Sequence, residues 1–220
     1  AHAKGALVAM DNTWATPLYF KALRHGVDIS VIAATKYIVG HADAMIGTIT
    51  VAREALWEPV FKTHALLGFA TSPDDAYLAA RGLRTLGARL AQHDRSARQI
   101  AEWLETRTEV ARVIHPALPS HPQHDLWARD FTGASGLFAF ELKPAPSRAI
   151  EAMLDGMSLF GMGYSWGGFE SLLIKTNPQS ARTVVPYEAG PLMRIHVGLE
   201  AVDDLIADLE AGFERLSHEL

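Results

Sequence analysis

The chain has 220 residues, 49% of them hydrophobic, with 20 basic and 25 acidic side chains and a net charge of −5. That length can bury a sizeable core in one or two domains, while the acidic balance and the scatter of basic residues argue against a nucleic-acid or anionic-membrane partner. No apolar run approaches the about 20 residues of a bilayer span, and the absence of cysteine excludes disulfides, thiolate nucleophiles and cysteine-ligated zinc.

The opening residues, Ala1-His2-Ala3-Lys4-Gly5, lack the charged start, long apolar run and cleavage site of a secretory leader, so a soluble, cytoplasmic α/β protein is expected. They read as the end of a helix, with Gly5 suiting a C-cap, running straight into a strand over 6–10. Such a start predicts that an N-terminal portion has been removed or is carried separately. The strand ends at Asp11-Asn12-Thr13, polar groups at the carboxyl end of a buried strand, where open α/β sheets put ligands. A short helical stretch over 18–25 is closed by Gly26. A second apolar strand spans 28–34 and ends at Thr35-Lys36; a third, over 46–51, alternates apolar residues with Thr48 and Thr50.

Ser72-Pro73-Asp74-Asp75 is a helix start: a hydroxyl N-cap, proline in the first turn and a carboxylate three residues after the cap. Apolar positions at Leu83, Leu86, Leu90, Ala97, Ile100 and Leu104 predict one helix over 72–106, about 50 Å long at the usual rise per residue. A coiled coil competes with that reading, but Gly82, Gly87 and His93 at a seam position count against it. Beyond Val110 come a proline-rich loop over 115–122, alternating strands over 136–142 and 192–197, and an amphipathic helix over 202–216. The texture changes near residue 82. A parallel-type α/β portion over 1–82 is therefore expected before a smaller α+β domain over 83–220.

Of six lysines, Lys36 stands just past a run of four apolar residues, Val31-Ile32-Ala33-Ala34, at the end of the expected buried strand. Burial disfavours the ammonium form and leaves an amine that attacks aldehydes. Thr35 offers a hydroxyl to a phosphate, and Asp11 can set a carboxylate on the neighbouring strand end. On spacing alone, a strand-end lysine reaching solvent remains an open alternative. His115, His121, His124 and Asp125 form a histidine-rich stretch, but prolines stiffen and separate them, and a solvated loop is expected rather than a metal site. Asp203 and Asp204 suit the start of the last helix through its dipole, and His41 is expected to order the loop after Lys36.

Asp11-Asn12-Thr13-Trp14 followed by Ala34-Thr35-Lys36-Tyr37-Ile38-Val39-Gly40-His41-Ala42-Asp43 resembles the signature of the Cys/Met-metabolism family of pyridoxal-phosphate enzymes. The likeness continues through Ser72-Pro73-Asp74-Asp75-Ala76, Arg81 to Leu86, Gly133 to Leu137, Ser165-Trp166-Gly167-Gly168 and Arg194 to Glu200. It implies a fold-type-I, aspartate-aminotransferase-like α/β fold: part of the large mixed-sheet cofactor domain, then the smaller C-terminal domain. By the same resemblance, Lys36 holds pyridoxal 5'-phosphate covalently and later moves the Cα proton. Asp11 pairs with the ring nitrogen and Thr35 binds the phosphate. Arg194 takes the substrate α-carboxylate, although a lone strand arginine more often makes a surface ion pair.

Ser165 and Trp166 resemble the branch of the family that cleaves cystathionine by α,β-elimination to homocysteine, pyruvate and ammonia, and His196 and Ala33 match that branch too. Taken by itself, Trp166 reads equally as a core aromatic. The γ-lyases and γ-synthases are the competing branch, and an inactive fragment lacking half the site is a further alternative. The resemblance implies that the family's glycine-containing phosphate loop, ring-stacking tyrosine and partner-subunit arginine lie upstream. It also implies a homo-oligomer, a tetramer built as a dimer of dimers.

Overall fold

The computed structural model describes residues 1–220. Its first sheet has three strands in the order β1 (Ala9–Asp11), β2 (Ile29–Ala33) and β3 (Gly47–Val51). β1 and β2 run parallel and β3 pairs antiparallel to β2, so the portion expected to be parallel in type is mixed. The first strand starts at Ala9 rather than Ala6. Residue 8 is tied elsewhere: the Val8 carbonyl accepts the N–H groups of Asp28 (2.9 Å) and Ile29 (3.1 Å), and its own N–H goes to the Asp28 carboxylate at 2.9 Å. The helix expected over 18–25 is split into α1 (Thr16–Tyr19) and a 3₁₀ turn, Ala22–His25, closed by Gly26 at φ 83. The break falls at Phe20, which is extended, with its carbonyl taken by the Asn12 side-chain amide at 2.9 Å.

Next come α2 (Glu54–Leu66), α3 (Pro73–Leu83) and α4 (Leu86–Glu105). Ser72 caps α3 as its sequence requires, accepting the Asp75 N–H at 3.0 Å. The single long helix expected over 72–106 is instead two helices, bent at Arg84-Thr85. Gly82 is pressed onto the chain after β2, where a Cβ would lie 2.6 Å from the Val39 carbonyl. Arg89 reaches back from α4 to the carbonyls of Gly82 (2.8 Å), Tyr37 (2.7 Å) and Ile38 (3.0 Å). These bonds hold the helix pair to the Lys36 loop at the bend. Leu83, on the outside of the bend, is exposed.

The second sheet is antiparallel, built from β4 (Val110–Ile114), β5 (Leu137–Leu142), β6 (Leu172–Thr176) and β7 (Leu192–His196) in the order β4-β5-β7-β6. α5 (His124–Asp130) follows β4, α6 (Ser147–Asp155) follows β5, and α7 (Val202–His218) ends the chain. The main core packs α4, α6 and α7 on one face of this sheet, around Ile100, Leu104, Phe140, Met153, Met193, Leu209 and Phe213. Each such fully buried side chain contributes roughly 1.5–3 kcal/mol. Met193, Ile195 and Val197 point into that core, which sends Arg194 and His196 to the opposite face. No helix is long and apolar enough to cross a membrane.

α2 buries none of its residues. Its Trp57 and Phe61 rings stack on each other at 4.9 Å and are exposed, as are Met45, Ile49 and Phe69 nearby. Of the histidine-rich stretch, His115 is buried and accepts the Ala117 N–H at 3.2 Å, and His124 lies 3.2 Å from the Pro116 carbonyl through Nδ1.

Candidate active site

Because β1 and β2 are parallel, their carboxyl ends lie side by side, with Asp11 opposite Val31. Asp11 closes β1. Its Oδ1 accepts the Thr13 N–H at 2.9 Å and the Thr13 hydroxyl at 2.5 Å, while Oδ2 accepts no hydrogen bond from the protein. The Thr13 hydroxyl in turn accepts the Ala33 N–H at 2.8 Å, so Thr13 couples the carboxylate to the end of β2. The two-residue offset of Asp11 and Thr13 is the usual signal for an aspartate turn, and it is the one cue in the sequence to that coupling.

Lys36 follows β2 in a turn where its N–H donates to the Ala33 carbonyl at 3.0 Å. Its Nζ donates to Ser165 Oγ at 2.8 Å and lies 5.4 Å from the centre of the Trp166 ring. Burial, and then the charge of Arg194, hold the Lys36 pKa below the ordinary lysine value. The amine is therefore deprotonated, and nucleophilic, at a lower pH than a solvated lysine. Thr35 makes its side-chain hydrogen bonds to residue 46. Its hydroxyl accepts the Ile46 N–H at 2.9 Å and donates to the Ile46 carbonyl at 3.2 Å, closing the loop that returns to β3. His41 bonds the Val39 carbonyl through Nδ1 at 2.7 Å and so helps to order the same loop.

The other half of the cluster comes from β7 and the loop before β6. Arg194 Nη2 donates to the carbonyls of Gly163 (3.2 Å) and Tyr164 (2.8 Å), and burial lowers its pKa. Trp166 is half-buried and tilts against Tyr37, with ring centres 5.6 Å apart. Tyr37 itself is fully buried with Leu86 and Leu90, which ties the Lys36 loop to α4. Ser165, Trp166 and Arg194 thus lie about Lys36 Nζ, and Asp11 closes the strand parallel to the one before Lys36. The hydroxyl of Thr35 is engaged by Ile46 instead. Gly167, between Trp166 and Gly168, has φ +86, and a Cβ there would lie 2.8 Å from Lys36 Cβ. The Lys36–Ser165 contact is open to solvent, and a cavity of about 770 Å³ lined by Lys175, Tyr187 and Glu188 shares no residue with the site.

Beneath the cluster His196 is buried and its pKa is pushed down to about 3, by burial first and then by His93, Arg194 and Lys36. His115 is likewise pushed down to about 4, chiefly by burial. Between those values and the ordinary histidine value the unfolded chain binds protons that the folded chain refuses. Stability therefore rises with pH across this window and is lost on acidification. From pH 6.5 to 4 the loss is expected to reach several kcal/mol, at about 1.4 kcal/mol per pKa unit. Urea midpoints measured from pH 7 downwards test this; a midpoint that is flat to pH 4 would contradict it.

A family model described as Cys/Met metabolism PLP-dependent enzyme matches residues 1–214. A putative cystathionine β-lyase of Rhizobium johnstonii is 52% identical over 99% of this chain and 56% of its own length. Cystathionine β-lyase MetC of Escherichia coli K12 is 50% identical over 96% of this chain and 54% of its own. The chain thus spans about half the length of these curated relatives. The crystal structure of cystathionine γ-synthase from Xanthomonas oryzae pv. oryzae in complex with cystathionine matches with TM-score 0.91 at 37% identity, over 100% of this chain and 58% of that one. The fold is accordingly the expected fold-type-I arrangement. With the family model covering all but the last few residues, the chain belongs to the Cys/Met metabolism family of pyridoxal-phosphate-dependent enzymes.

Proposed function

We propose that this chain supplies the C-terminal half of a carbon–sulfur lyase that eliminates homocysteine from L-cystathionine, releasing pyruvate and ammonia with uptake of water. The observation that carries the reading is the contact of Lys36 Nζ with Ser165 Oγ at 2.8 Å, beside Trp166 and with Arg194 close enough to depress the lysine pKa. The residues fit pyridoxal phosphate: a partly buried primary amine, and on the adjacent parallel strand end a carboxylate with one oxygen unused by the protein. When bound, the cofactor supplies the electron sink that stores the charge left at Cα.

Lys36 would hold the cofactor through Nζ and would take the Cα proton on the same atom. Asp11 would hold the ring nitrogen protonated through Oδ2. Arg194 would exchange its two carbonyl partners for the substrate carboxylate, which its planar fork binds through two parallel bonds. Ser165 orients Nζ, and the Trp166 ring covers one side of it. The Thr35 hydroxyl would have to leave Ile46 to reach a phosphate, so other phosphate donors are needed.

Relatives named as β-lyases at 52% and 50% identity, against 37% for the γ-synthase structure, favour β-elimination. Elimination at Cβ also asks less of the site, since the γ route must move a second proton at Cβ. Residues 1–82 would complete the cofactor domain and residues 83–220 form the C-terminal one. The open site and the exposed Trp57–Phe61 stack support a covering N-terminal portion and a homo-oligomer, a tetramer in the dimer-of-dimers form. The same reading puts the reaction in the cytoplasm, where a thiol product stays reduced.

Incubation of the intact, cofactor-loaded protein with L-cystathionine should yield pyruvate and homocysteine in equal amounts. 2-Oxobutyrate and cysteine would establish the γ-acting alternative, and no keto acid at all would overturn both. Residues 1–220 expressed alone should give neither, because half the pocket would face solvent.

A further inference from the structure

β7 sends two side chains to the site face, and both end on the same loop. Arg194 donates to the carbonyls of Gly163 and Tyr164 at 3.2 and 2.8 Å. Two residues on, His196 Nε2 accepts the Gly167 N–H at 2.9 Å, and its Nδ1 lies 3.1 Å from the Glu170 carbonyl. Alternate residues of one strand therefore hold the loop over 163–170 at both ends. Ser165 and Trp166, the residues that meet Lys36 Nζ, sit between the two anchors.

The anchors differ in kind. Carboxylates make charge-assisted bonds to guanidinium roughly twice as strong as neutral ones, so an anionic ligand can draw Arg194 off its carbonyls. His196 has no comparable competitor. It is 1% exposed, and its partners are one backbone donor and one backbone acceptor. Those partners settle the tautomer: an N–H can only donate, so Nε2 is bare, and a carbonyl can only accept, so Nδ1 carries the proton. A second proton on Nε2 would point at the Gly167 N–H and break the anchor. The depressed pKa of His196 keeps that proton off at any ordinary pH.

Gly167 is the residue in contact with Lys36. At φ +86 it lies so close that a Cβ would meet Lys36 Cβ at 2.8 Å and Lys36 Cα at 3.0 Å. The amide that His196 grips is thus the amide of the residue seated on the lysine backbone.

We infer that His196, as a neutral imidazole protonated on Nδ1, is a positioning residue that keeps the Ser165-Trp166-Gly167 turn seated on Lys36 when Arg194 leaves the loop for an anionic substrate group. The kinetic part of this inference rests on the lyase reading proposed above, in which Arg194 takes the substrate carboxylate and Lys36 moves the proton. The anchoring part does not.

Both parts can be measured on the full-length protein. Without substrate, hydrogen exchange of the peptide spanning 163–170 should be about tenfold faster in His196→Ala than in the parent, as for loss of one buried hydrogen bond. His196→Gln, whose Oε1 can accept the Gly167 N–H, should recover most of the protection. His196→Asn is too short to reach Gly167 and keeps only the Glu170 bond. It should behave like alanine, and it replaces the alanine variant if that one fails to fold. With cystathionine, His196→Ala or His196→Asn should lower kcat by about tenfold to 100-fold while KM moves less than about threefold, because Arg194 is still present. The pH profile of His196→Gln should overlay that of the parent, since the histidine acts without titrating. Unchanged exchange in the alanine and asparagine variants, a glutamine variant as impaired as alanine, or a KM effect without a kcat effect would each overturn the inference. A parent protein that does not cleave cystathionine would remove the lyase reading instead, and the exchange measurement would still decide the role of His196.

Discussion

Replacing Lys36 with alanine is expected to lower elimination by about 10,000-fold or more, as removal of a residue that acts as both anchor and proton carrier does. The side chain has two duties that no neighbour can assume. In the proposed reading it would fix the cofactor, and its Nζ is the one amine held below the ordinary lysine pKa next to the Ser165 hydroxyl. Ser165 cannot substitute, because a hydroxyl forms no carbon–nitrogen double bond with an aldehyde. Arg194 cannot either, because a guanidinium stays protonated. Borohydride reduction of the loaded parent protein, followed by peptide mapping, should place the pyridoxyl mass on Lys36. A label on Lys21 or Lys175, or no label at all, would defeat the assignment. Loss of activity in Lys36→Ala with the label found elsewhere would show that the substitution acted through the loop.

Asp11→Ala is expected to slow elimination by about 100-fold to 1,000-fold, the usual cost of removing one preorganised electrostatic contact to developing charge. Cofactor affinity should weaken as well. The geometry makes the prediction specific. Both intramolecular hydrogen bonds of Asp11 fall on Oδ1, so Oδ2 remains for a ring nitrogen. Asp11→Glu keeps the charge but displaces it by one methylene, and it should retain more activity than Asp11→Ala. A structural role predicts another order. If Asp11 served only to hold Thr13, then Thr13→Val would damage the protein as much as Asp11→Ala does, and turnover of the two aspartate variants would match. Turnover of Asp11→Ala, Asp11→Glu and Thr13→Val, compared alongside urea midpoints, separates the two roles.

Much of this architecture can be read from the chain because it is written in local chemistry. The Ser72 cap with Asp75 three residues later, the Gly26 stop at positive φ and the β7 alternation of core and site residues each depend on a few neighbours. Lys36 stands out for a related reason: it comes just past a run of four apolar residues, in the turn that ends their strand, where a charged side chain asks for an explanation. The motif around it then names the chemistry. α2 is hard to read from the chain because its Arg53 N-cap makes no side-chain cap bond and Pro59 lies inside it, although Trp57, Val60 and Phe61 sit at helical spacing.

What only the tertiary structure decides are contacts between segments far apart in the chain. The apolar spacing over 72–106 suits one continuous helix. The bend at Arg84-Thr85 is held by bonds from Arg89 to carbonyls of Tyr37 and Ile38, some fifty positions away. The Thr35 hydroxyl looks available beside Lys36 in the sequence, yet the return of the chain to β3 gives it to Ile46. Gly167 needs to be glycine because Lys36 lies against it, and His196 is neutral chiefly because it is buried, while Gly167 and Glu170 dictate its tautomer. Periodicity and capping report on a residue's near neighbours along the chain. The seating of a loop on a lysine depends on closures of 129 positions, as between Lys36 and Ser165, and no local pattern encodes those.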